Sequence, residues 1–212
     1  MNSLKHVILT HWHPDHTLGL RILEQYNFDF VNKVSLHEPV MVYISRDQFD
    51  MFKKLSCGGF LDFYEKKGII KLVFIEPNKK ITIGKISIEP ILIEFTKGFY
   101  FVISEGKKKV VYAPCEYHHL EVDVTTRNVD VFIAHNLFWE DRSISPRKVP
   151  PSDEDSFEQM LNHAKEMNAR RIVITHIEET FKLNHDELNA VLRKKFPGYN
   201  VEAGYDSMKI IL

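Results

Sequence analysis

Cysteine is scarce in this chain. Its scarcity restricts the cellular compartments and the classes of protein to which the chain can belong. Cys57 and Cys115 are the two thiols of the 212 residues, and they lie far apart in the sequence. Two such thiols do not make the disulfide framework of a secreted protein and fit a reducing cytosol. The sequence also lacks an apolar run long enough to span a membrane. It lacks the apolar region of a secretory signal as well. We therefore expect a cytoplasmic protein without a membrane partner.

An excess of charge of either sign is absent as well. The chain has 28 Lys and Arg residues against 29 Asp and Glu residues, which gives a net charge of −1. Without a strong basic field the chain has no general attraction for nucleic acid, so that partner is not favoured. Apolar residues make up 44% of the sequence, which is enough for one sizeable core. We predict a single domain over residues 1–212.

The apolar patterns predict a mixed α/β chain. Residues 69–112 read as consecutive strands with turns at Gly84 and Gly106, and residues 152–168 and 184–196 read as helices. Capping-box patterns begin at Ser152, with Asp155, and at Asn184, with Glu187. Further predicted strands are residues 6–10, 42–45, 129–134, 172–175 and 201–212, and further predicted helices are residues 46–55, 60–67 and a segment after His16.

The strongest functional signal is the segment HWHPDH, which follows the first predicted strand. It supplies His11, His13, Asp15 and His16. Imidazole and carboxylate are ligands for zinc, iron or manganese. Alternate residues of an extended stretch point the same way, so His11 and His13 can converge on one ion. Asp15 and His16, beyond the bend that Pro14 favours, can serve a second ion.

Three more strands are predicted to run into side chains that can bind metal. His176 follows residues 172–175, and Cys115 follows the strand that ends near residue 113. Cys115 is either a zinc ligand or an inert buried thiol, with Glu116 as the reserve ligand. His135 ends a strand as well, where it either transfers a proton or contacts substrate, or merely caps the strand. Strand ends that face a crevice are where sites gather in layered α/β proteins.

The loop after His135 carries aromatic and basic side chains. Phe138, Trp139 and Arg142 could stack on a ring and bind a phosphate. Packing of these aromatic residues on the core explains the same sequence equally well.

HWHPDH, followed by Gly19 and Leu20, resembles the HxHxDH signature of the metallo-β-lactamase superfamily. RIVITHIEETF around His176 and the terminal GYDSMKIIL resemble the branch that contains phosphoribosyl cyclic phosphate phosphodiesterases. The resemblance covers essentially the whole chain. It implies an α/β (α+β) fold, an αββα sandwich of the metallo-β-lactamase type, with a two-metal site at one edge of the sheets.

Several positions depart from the pattern of that branch. Glu94 stands near the place of a histidine ligand, and Cys115 stands where an aspartate bridges the metals. The region before the long helix reads Ser152-Asp153-Glu154-Asp155, where relatives often have a histidine. Relatives also have strands before HxHxDH, so we expect the sequence to be incomplete at its N-terminus. An exposed sheet edge would then favour a homo-oligomer.

The resemblance implies a metal-dependent hydrolase of a small phosphodiester, such as a cyclic phosphate or nucleotide-like substrate, that uses a metal-bound hydroxide. The expected cofactor is zinc, as one or two ions, with manganese or iron as alternatives. Asp15 and His135 are the predicted catalytic residues. An RNA-processing nuclease and a non-catalytic metal-binding or regulatory protein remain the alternative functions. The predicted metal ligands are His11, His13, Asp15, His16, Glu94, Cys115 and His176.

Overall fold

The computed structural model describes residues 4–54, 59–94, 97–115, 120–135, 139, 141, 156–177 and 183–212. The chain divides into two compact units: unit 1 comprises residues 1–79 and 96–99, and unit 2 comprises residues 80–95 and 100–212. The single domain over residues 1–212 stays a prediction beside this division. In the described ranges, no helix has both the length and the apolar character to cross a membrane.

Unit 1 combines short helices with a parallel sheet. In the part of the chain that is described, this sheet has three strands in the order β1–β4–β5. Its helices and strands are β1 (His6–Ile8), α1 (Pro14–Thr17), a 3-10 helix (Leu18–Arg21), α2 (Ile22–Asn27), β2 (Phe28–Asp29), β3 (Val34–Ser35), β4 (Val40–Ser45), α3 (Arg46–Lys54), α4 (Gly59–Lys66) and β5 (Ile70–Ile75).

The central strand β4 shows why this sheet forms. It pairs with β1 on one side and β5 on the other, both in parallel. Parallel strands covered on both faces become continuous apolar runs, and Val40, Val42 and Ile44 are all buried. The helices α3 and α4 are amphipathic, and they bury Phe52 and Leu61 in the same core. The sequence predictions for α3, α4 and β4 are confirmed within one or two residues.

The stretch between β1 and β4 differs from the prediction in two ways. The strand β1 ends at Ile8 rather than at residue 10, and helix begins at Pro14 rather than after His16. Proline stabilises the first helical position because its fixed φ suits a helix and its missing N–H has no partner there anyway. The hairpin β2–β3 was not predicted. Its turn is held by the carboxylate of Asp29, which accepts hydrogen bonds from the backbone N–H of Val31 and Asn32.

Unit 2 is built on a larger mixed sheet. Its described strands number seven, in the order β12–β11–β10–β9–β8–β7–β6. The pairs β6–β7 and β8–β9 are antiparallel, whereas β9–β10, β10–β11 and β11–β12 are parallel. The strands are β6 (Ile81–Ile83), β7 (Ile86–Ile93), β8 (Gly98–Glu105), β9 (Lys108–Ala113), β10 (Val131–His135), β11 (Ile172–Thr175) and β12 (Val201–Ala203), and the helices are α5 (Phe157–Glu166) and α6 (His185–Lys195).

The antiparallel part confirms the predicted run of strands. Gly84 and Gly106 occupy its tight turns with φ of 60° and 59°, a region that glycine enters at no steric cost. In the parallel part, alternate residues of β10 and β11 face the helices. Phe132 and Ile172 thus join Met160 of α5 in a fully buried cluster.

Both helices in the described part of unit 2 begin with a capping box, but one begins later than predicted. Ser156 is the N-cap of α5, and its side chain accepts a hydrogen bond from the backbone N–H of Gln159. The predicted start at residue 152 was therefore wrong, because Ser156 is in an extended conformation. The predicted Ser152 cap itself lies outside the described residues. The capping box of Asn184 and Glu187 on α6 is confirmed.

The C-terminal strand is much shorter than predicted. The expectation of a strand over residues 201–212 was wrong beyond Ala203. Gly204 passes so close to β11 that a Cβ there would lie 3.2 Å from the carbonyl oxygen of Ile174. A turn follows, closed by a hydrogen bond from the N–H of Met208 to the carbonyl oxygen of Tyr205. Backbone bonds to β11 therefore stop although apolar residues continue to the end of the chain.

Candidate metal-binding site

The segment that carries the histidine motif is anchored at its start by backbone hydrogen bonds. The N–H of Leu9 donates to the carbonyl oxygen of Tyr43 at 2.9 Å, which extends the pairing of β1 with β4. The carbonyl oxygen of Thr10 accepts from the N–H of Phe99 at 2.9 Å. Backbone on both sides thus holds the residues just before His11 in place.

The second half of the motif is the start of α1. His13 is the N-cap, with φ −52° and ψ 140°, and Pro14 occupies the first turn. The hydroxyl of Thr17 donates to the carbonyl oxygen of His13 at 2.9 Å and closes this turn. Asp15 and His16 therefore project from a helical turn, whereas His11 and His13 lie on the extended segment before it.

The three imidazoles of the motif lie against one another in unit 1. The ring centroids of His11 and His16 are 4.2 Å apart, and those of His11 and His13 are 4.6 Å apart. Nε2 of His16 lies 3.1 Å from a carboxylate oxygen of Asp15. His11 is buried with 3% of its surface exposed, while the Asp15 side chain is 55% exposed. The motif is thus buried at His11 and open to solvent at the carboxylate of Asp15.

Thr10 fixes the orientation of the buried ring. Its hydroxyl lies 2.9 Å from Nδ1 of His11. A histidine whose Nδ1–H is held by a neighbouring oxygen presents Nε2 as the lone-pair donor for a metal. The hydroxyl of Thr175 lies 3.4 Å from the carbonyl oxygen of Ala134.

A second group of donors lies in unit 2, where parallel strands end. The strands β9, β10 and β11 are neighbours, with Ala134 in register with Ala113 and His135 in register with Thr175. Cys115 comes just after β9, His135 ends β10, and His176 follows β11. Because parallel strands end at the same edge of a sheet, residues distant in sequence meet there.

The donor atoms of Cys115, His135 and His176 all lie within 4.8 Å of one another. The Sγ of Cys115 is 3.8 Å from Nδ1 of His176, and the rings of His135 and His176 are 4.2 Å apart. Cys115 and His135 are buried. Burial raises the pKa of the adjacent Tyr112 hydroxyl, and charge on Cys115 raises that pKa further. Thiolate and imidazole together suit zinc.

His176 has a backbone conformation that the sequence does not reveal. Its φ is +60°, a left-handed value that is uncommon for residues other than glycine. Such conformations cost of order 1–3 kcal/mol and cluster at functional sites. The turn sets where the imidazole leaves the end of β11.

Other predicted residues take different places. Glu94 is an exposed turn residue just after β7 and does not join the donor group of Cys115, His135 and His176. Its ligation of a metal stays a prediction. Trp139 is buried and stacks on Phe157 with ring centroids 3.9 Å apart. It therefore packs on the core, the alternative that the sequence left open. Glu116, Phe138 and Arg142 lie outside the described residues.

A cavity of about 430 Å³ opens beside His176 within unit 2. Apolar side chains and the carboxylate of Asp206 line this cavity. The apolar residues include Ile133, Val173, Ile177 and Met208. Sequence patterns had assigned no role to this space, because it forms where the chain beyond β12 turns past β11.

Comparison with known proteins identifies the fold and family. The sequence profile of the family described as "Beta-lactamase superfamily domain" matches residues 1–177. The metallo-β-lactamase fold protein YhfI from Bacillus subtilis is 21% identical, with a TM-score of 0.66 over 96% of this chain and 76% of its own. A comparison with curated protein sequences gives no match.

Two further solved structures share the fold. A diphosphatase of the PhnP family is 16% identical, with a TM-score of 0.68 over 99% of this chain and 72% of its own. The short form of human tRNase Z is 14% identical, with a TM-score of 0.61 over 98% of this chain and 78% of its own. The mixed α/β fold predicted from the sequence is confirmed, and this chain belongs to the β-lactamase superfamily domain family, with a metallo-β-lactamase fold.

Proposed function

We propose that this protein is a metal-dependent hydrolase of small phosphodiesters. Family membership supports the broader assignment to metal-dependent hydrolases. The observation that carries the proposal is the convergence of His11, His13 and His16, with the carboxylate of Asp15 beside them. A diphosphatase among the structures that share the fold is compatible with phosphate chemistry.

In this proposal the metal ligands in unit 1 would be His11, His13, Asp15 and His16. The ligands in unit 2 would be Glu94, Cys115 and His176. Bound divalent ions supply a nucleophile at neutral pH, by lowering the pKa of water, and offset negative charge on the phosphodiester. The hydroxyl oxygen of Thr10, 2.9 Å from Nδ1 of His11, would accept from Nδ1–H and so orient Nε2 as the metal-binding nitrogen.

Asp15 has the exposure that a group in contact with substrate needs. Its carboxylate is exposed to solvent next to His16. There it can both bind a metal ion and accept a proton. The cavity beside His176 offers space for the organic part of a small substrate. The net charge of −1 gives no general attraction for RNA, so a small diester is favoured over a nucleic acid.

Hydrolysis of bis(nitrophenyl) phosphate by the zinc-loaded full chain tests the proposal, with nitrophenyl phosphate as the monoester and a short RNA as further substrates. We expect turnover of the diester in preference to the monoester. Asp15→Asn removes a charged ligand and should lower kcat/KM by more than about 100-fold, since even partners behind the ligands are worth 10–100-fold.

Asp62→Asn is the matched control, because Asp62 is a half-exposed carboxylate of the same unit that pairs with Lys53 at 3.0 Å. It should leave turnover unchanged. Metal-loaded protein that hydrolyses none of the substrates would contradict the hydrolase and favour a binding or regulatory role. Salt-sensitive cleavage of RNA without turnover of the diester would favour a nuclease.

A further inference from the structure

A second cavity of unit 2 lies at the opposite end of β11 from His176. Its volume is about 330 Å³, which is within the range of small-molecule sites. Ile172, the first residue of β11, lines this cavity, whereas His176 follows the last residue of the same strand. A strand rises about 3.3 Å per residue, so roughly 13 Å separates the two positions. The cavity is therefore distinct from the donor group at the other end of the sheet.

Two turns of the chain leave this space open. One follows α5, where Asn168 adopts a left-handed φ of 51° and ends the helix. The other follows α6 and passes through Gly198 on the way to β12. Small residues line the space between the turns, namely Ala164, Ala169 and Gly198. A Cβ at Gly198 would meet nothing within 4 Å, so no side chain fills the cavity there.

The polar part of the lining is basic. Lys165 and Arg170 line the cavity together with the amide residues Asn168 and Asn200. Among the described residues that form this lining, none is acidic. The buried side chain of Ile172 adds an apolar wall. A ligand that combines negative charge with an apolar part suits such a surface.

Arg170 is oriented before any ligand binds. Its Nη1 donates to the carboxylate of Asp130 at 3.0 Å, and this carboxylate, 11% exposed, also accepts from the backbone N–H of Lys109 at 2.9 Å. Nδ2 of Asn200 donates to the carbonyl oxygen of Arg170 at 3.1 Å and holds its backbone. The Arg170 side chain is nevertheless 76% exposed. A guanidinium has five N–H donors, so several remain available to an anion.

Lys165 supplies a second cation. Within the described part of the chain, no hydrogen bond or ion pair engages its ammonium group. It lies in the last turn of α5, where a cation offsets the negative end of the helix dipole. The carbonyl oxygens of Ala164 and Met167 already accept the backbone N–H groups of Ala169 and Asn128. Less of the negative charge of the helix end therefore opposes an incoming anion.

We propose that this cavity binds a small organic anion, namely a ring that carries a phosphate or carboxylate group. Lys165 and Arg170 bind the anionic group through charge-assisted hydrogen bonds, and the second amide N–H of Asn200 adds a donor. The ring packs on Ile172. The inference goes beyond the proposed function, because none of the proposed metal ligands lines this cavity.

A titration of the zinc-loaded full chain with phenylphosphonate tests the inference, because the carbon–phosphorus bond of this probe resists hydrolysis. Proton–nitrogen NMR should show saturable shifts of the amide signals of Ala169, Gly198 and Asn200. The signals of His176 and Ile177 report binding at the other end of β11 separately. Benzoate tests the carboxylate as the anionic group. Benzylamine and benzyl alcohol lack negative charge and should bind about 10-fold more weakly, since two exposed ion pairs are lost.

Variants of the lining identify the groups that bind. Lys165→Gln and Arg170→Gln should each weaken phenylphosphonate binding by about 3-fold and the double variant by about 10-fold, the range for exposed ion pairs. Gly198→Leu keeps both charges and should also weaken binding, because it adds bulk to the lining. The matched control is Lys80→Gln, Lys85→Gln, which removes two exposed lysines of unit 2 outside the cavity. It should bind the probe as the parent does.

Equal affinity of the parent and the Lys165, Arg170 double variant would overturn the anion site. Equal shifts from phenylphosphonate, benzylamine and benzyl alcohol would overturn it as well, because charge would then play no part. Circular dichroism checks each fold, and Lys165→Gln decides alone if Arg170→Gln does not fold, since Asp130 then keeps its partner. A diester assay without turnover leaves these shifts unaffected, so failure of the proposed function is distinguishable from failure of this inference.

Discussion

The two units gather their metal-binding side chains in opposite ways. Unit 1 takes them from one six-residue segment, His11 to His16, which comprises an extended stretch and one helical turn. Unit 2 takes Cys115, His135 and His176 from three strands that are far apart in sequence and neighbours in the sheet. The first group depends on local conformation, whereas the second depends on correct strand order and register. Substitutions of the metal ligands, of core residues, of helix caps and around buried tyrosines test whether the two units also differ in metal binding, stability and titration.

The largest effect is expected from removing ligands in unit 1. The double variant His11→Ala, His13→Ala should lower the metal content of the protein and reduce kcat/KM for a phosphodiester by more than about 100-fold, because even partners behind a ligand contribute 10–100-fold. Elemental analysis and the diester assay measure both quantities.

The matched control is the double variant His6→Ala, His37→Ala. These histidines lie in the same unit but contact Tyr43 and Tyr26 instead of the motif. They should leave metal content and turnover at the parent level. If the two double variants behave alike, the motif is not the metal site.

The next effect concerns the two cores. Phe132→Ala in unit 2 should destabilise the protein by about 3–5 kcal/mol and Leu61→Ala in unit 1 by about 2–5 kcal/mol, because each leaves a cavity at a fully buried position. The two tryptophans of the chain report on one unit each: Trp12 on unit 1 and Trp139 on unit 2. Urea unfolding of Trp12→Phe and Trp139→Phe backgrounds measures the two signals separately.

A single domain over residues 1–212 predicts that both tryptophans report the same unfolding midpoint and that each core variant shifts both equally. Midpoints that separate, with Phe132→Ala moving the Trp139 signal alone, would show that the units unfold independently.

Helix capping gives a smaller effect that also distinguishes the units. Ser156 and Asn184 cap the helices of unit 2 through their side chains, whereas α1 and α2 of unit 1 have no side-chain cap hydrogen bond. Ser156→Ala and Asn184→Ala should each lower the free energy of unfolding by about 1 kcal/mol. Ser156→Asn keeps an acceptor at the N-cap and should cost little. Chemical denaturation that ranks the alanine and asparagine variants equally would contradict the cap.

The smallest effect appears at high pH. Burial, reinforced by a hydrogen bond to Glu24, raises the pKa of Tyr64 in unit 1 to about 12. Burial also raises the pKa of Tyr100 in unit 2, with Asp123 and Glu121 adding to it. Since unfolded tyrosine has a pKa of about 10, the stabilisation linked to Tyr64 is complete below pH 10. It is lost as the pH rises toward 12.

Tyrosinate absorbance during an alkaline titration measures these groups, with Tyr64→Phe identifying the contribution of Tyr64. Glu24→Gln should lower the pKa of Tyr64, which Glu24 raises. It should leave the pKa of Tyr100 unchanged, because the charges that raise that pKa are those of Asp123 and Glu121. An unchanged titration of Tyr64 in this variant would mean that burial is the whole cause.

Local signals were sufficient for most of the fold. Amphipathic spacing predicted α3, α4 and α6, and alternation with glycine turns predicted the strands from β5 to β9. The predictions failed where contacts with backbone distant in the sequence determine where a strand ends. The strand after Val201 stops at Ala203 because the chain turns away from β11. No apolar pattern encodes where a neighbouring strand ends.

The candidate site was predictable to the same extent. The motif of unit 1 could be read directly, because its donors lie within six residues and its proline marks the helix start. The sequence could mark Cys115, His135 and His176 as strand ends, but not that β9, β10 and β11 are neighbours in parallel. That pairing is what turns His135 from an isolated residue into a member of a donor group. The left-handed φ of His176 had no sequence signal.

The switch from antiparallel to parallel pairing at β9 also has a consequence for the order of folding. Parallel neighbours need long crossover connections, so the ends of β9, β10 and β11 meet only after large loops have closed. Each such closure costs entropy before any contact compensates it, and long-range pairing slows folding. We expect an ion to bind at these strand ends late in folding, after the antiparallel hairpins have formed. Once bound, it should hold the strand ends together. Refolding with zinc should therefore leave the first kinetic phase unchanged and slow the unfolding of the finished protein.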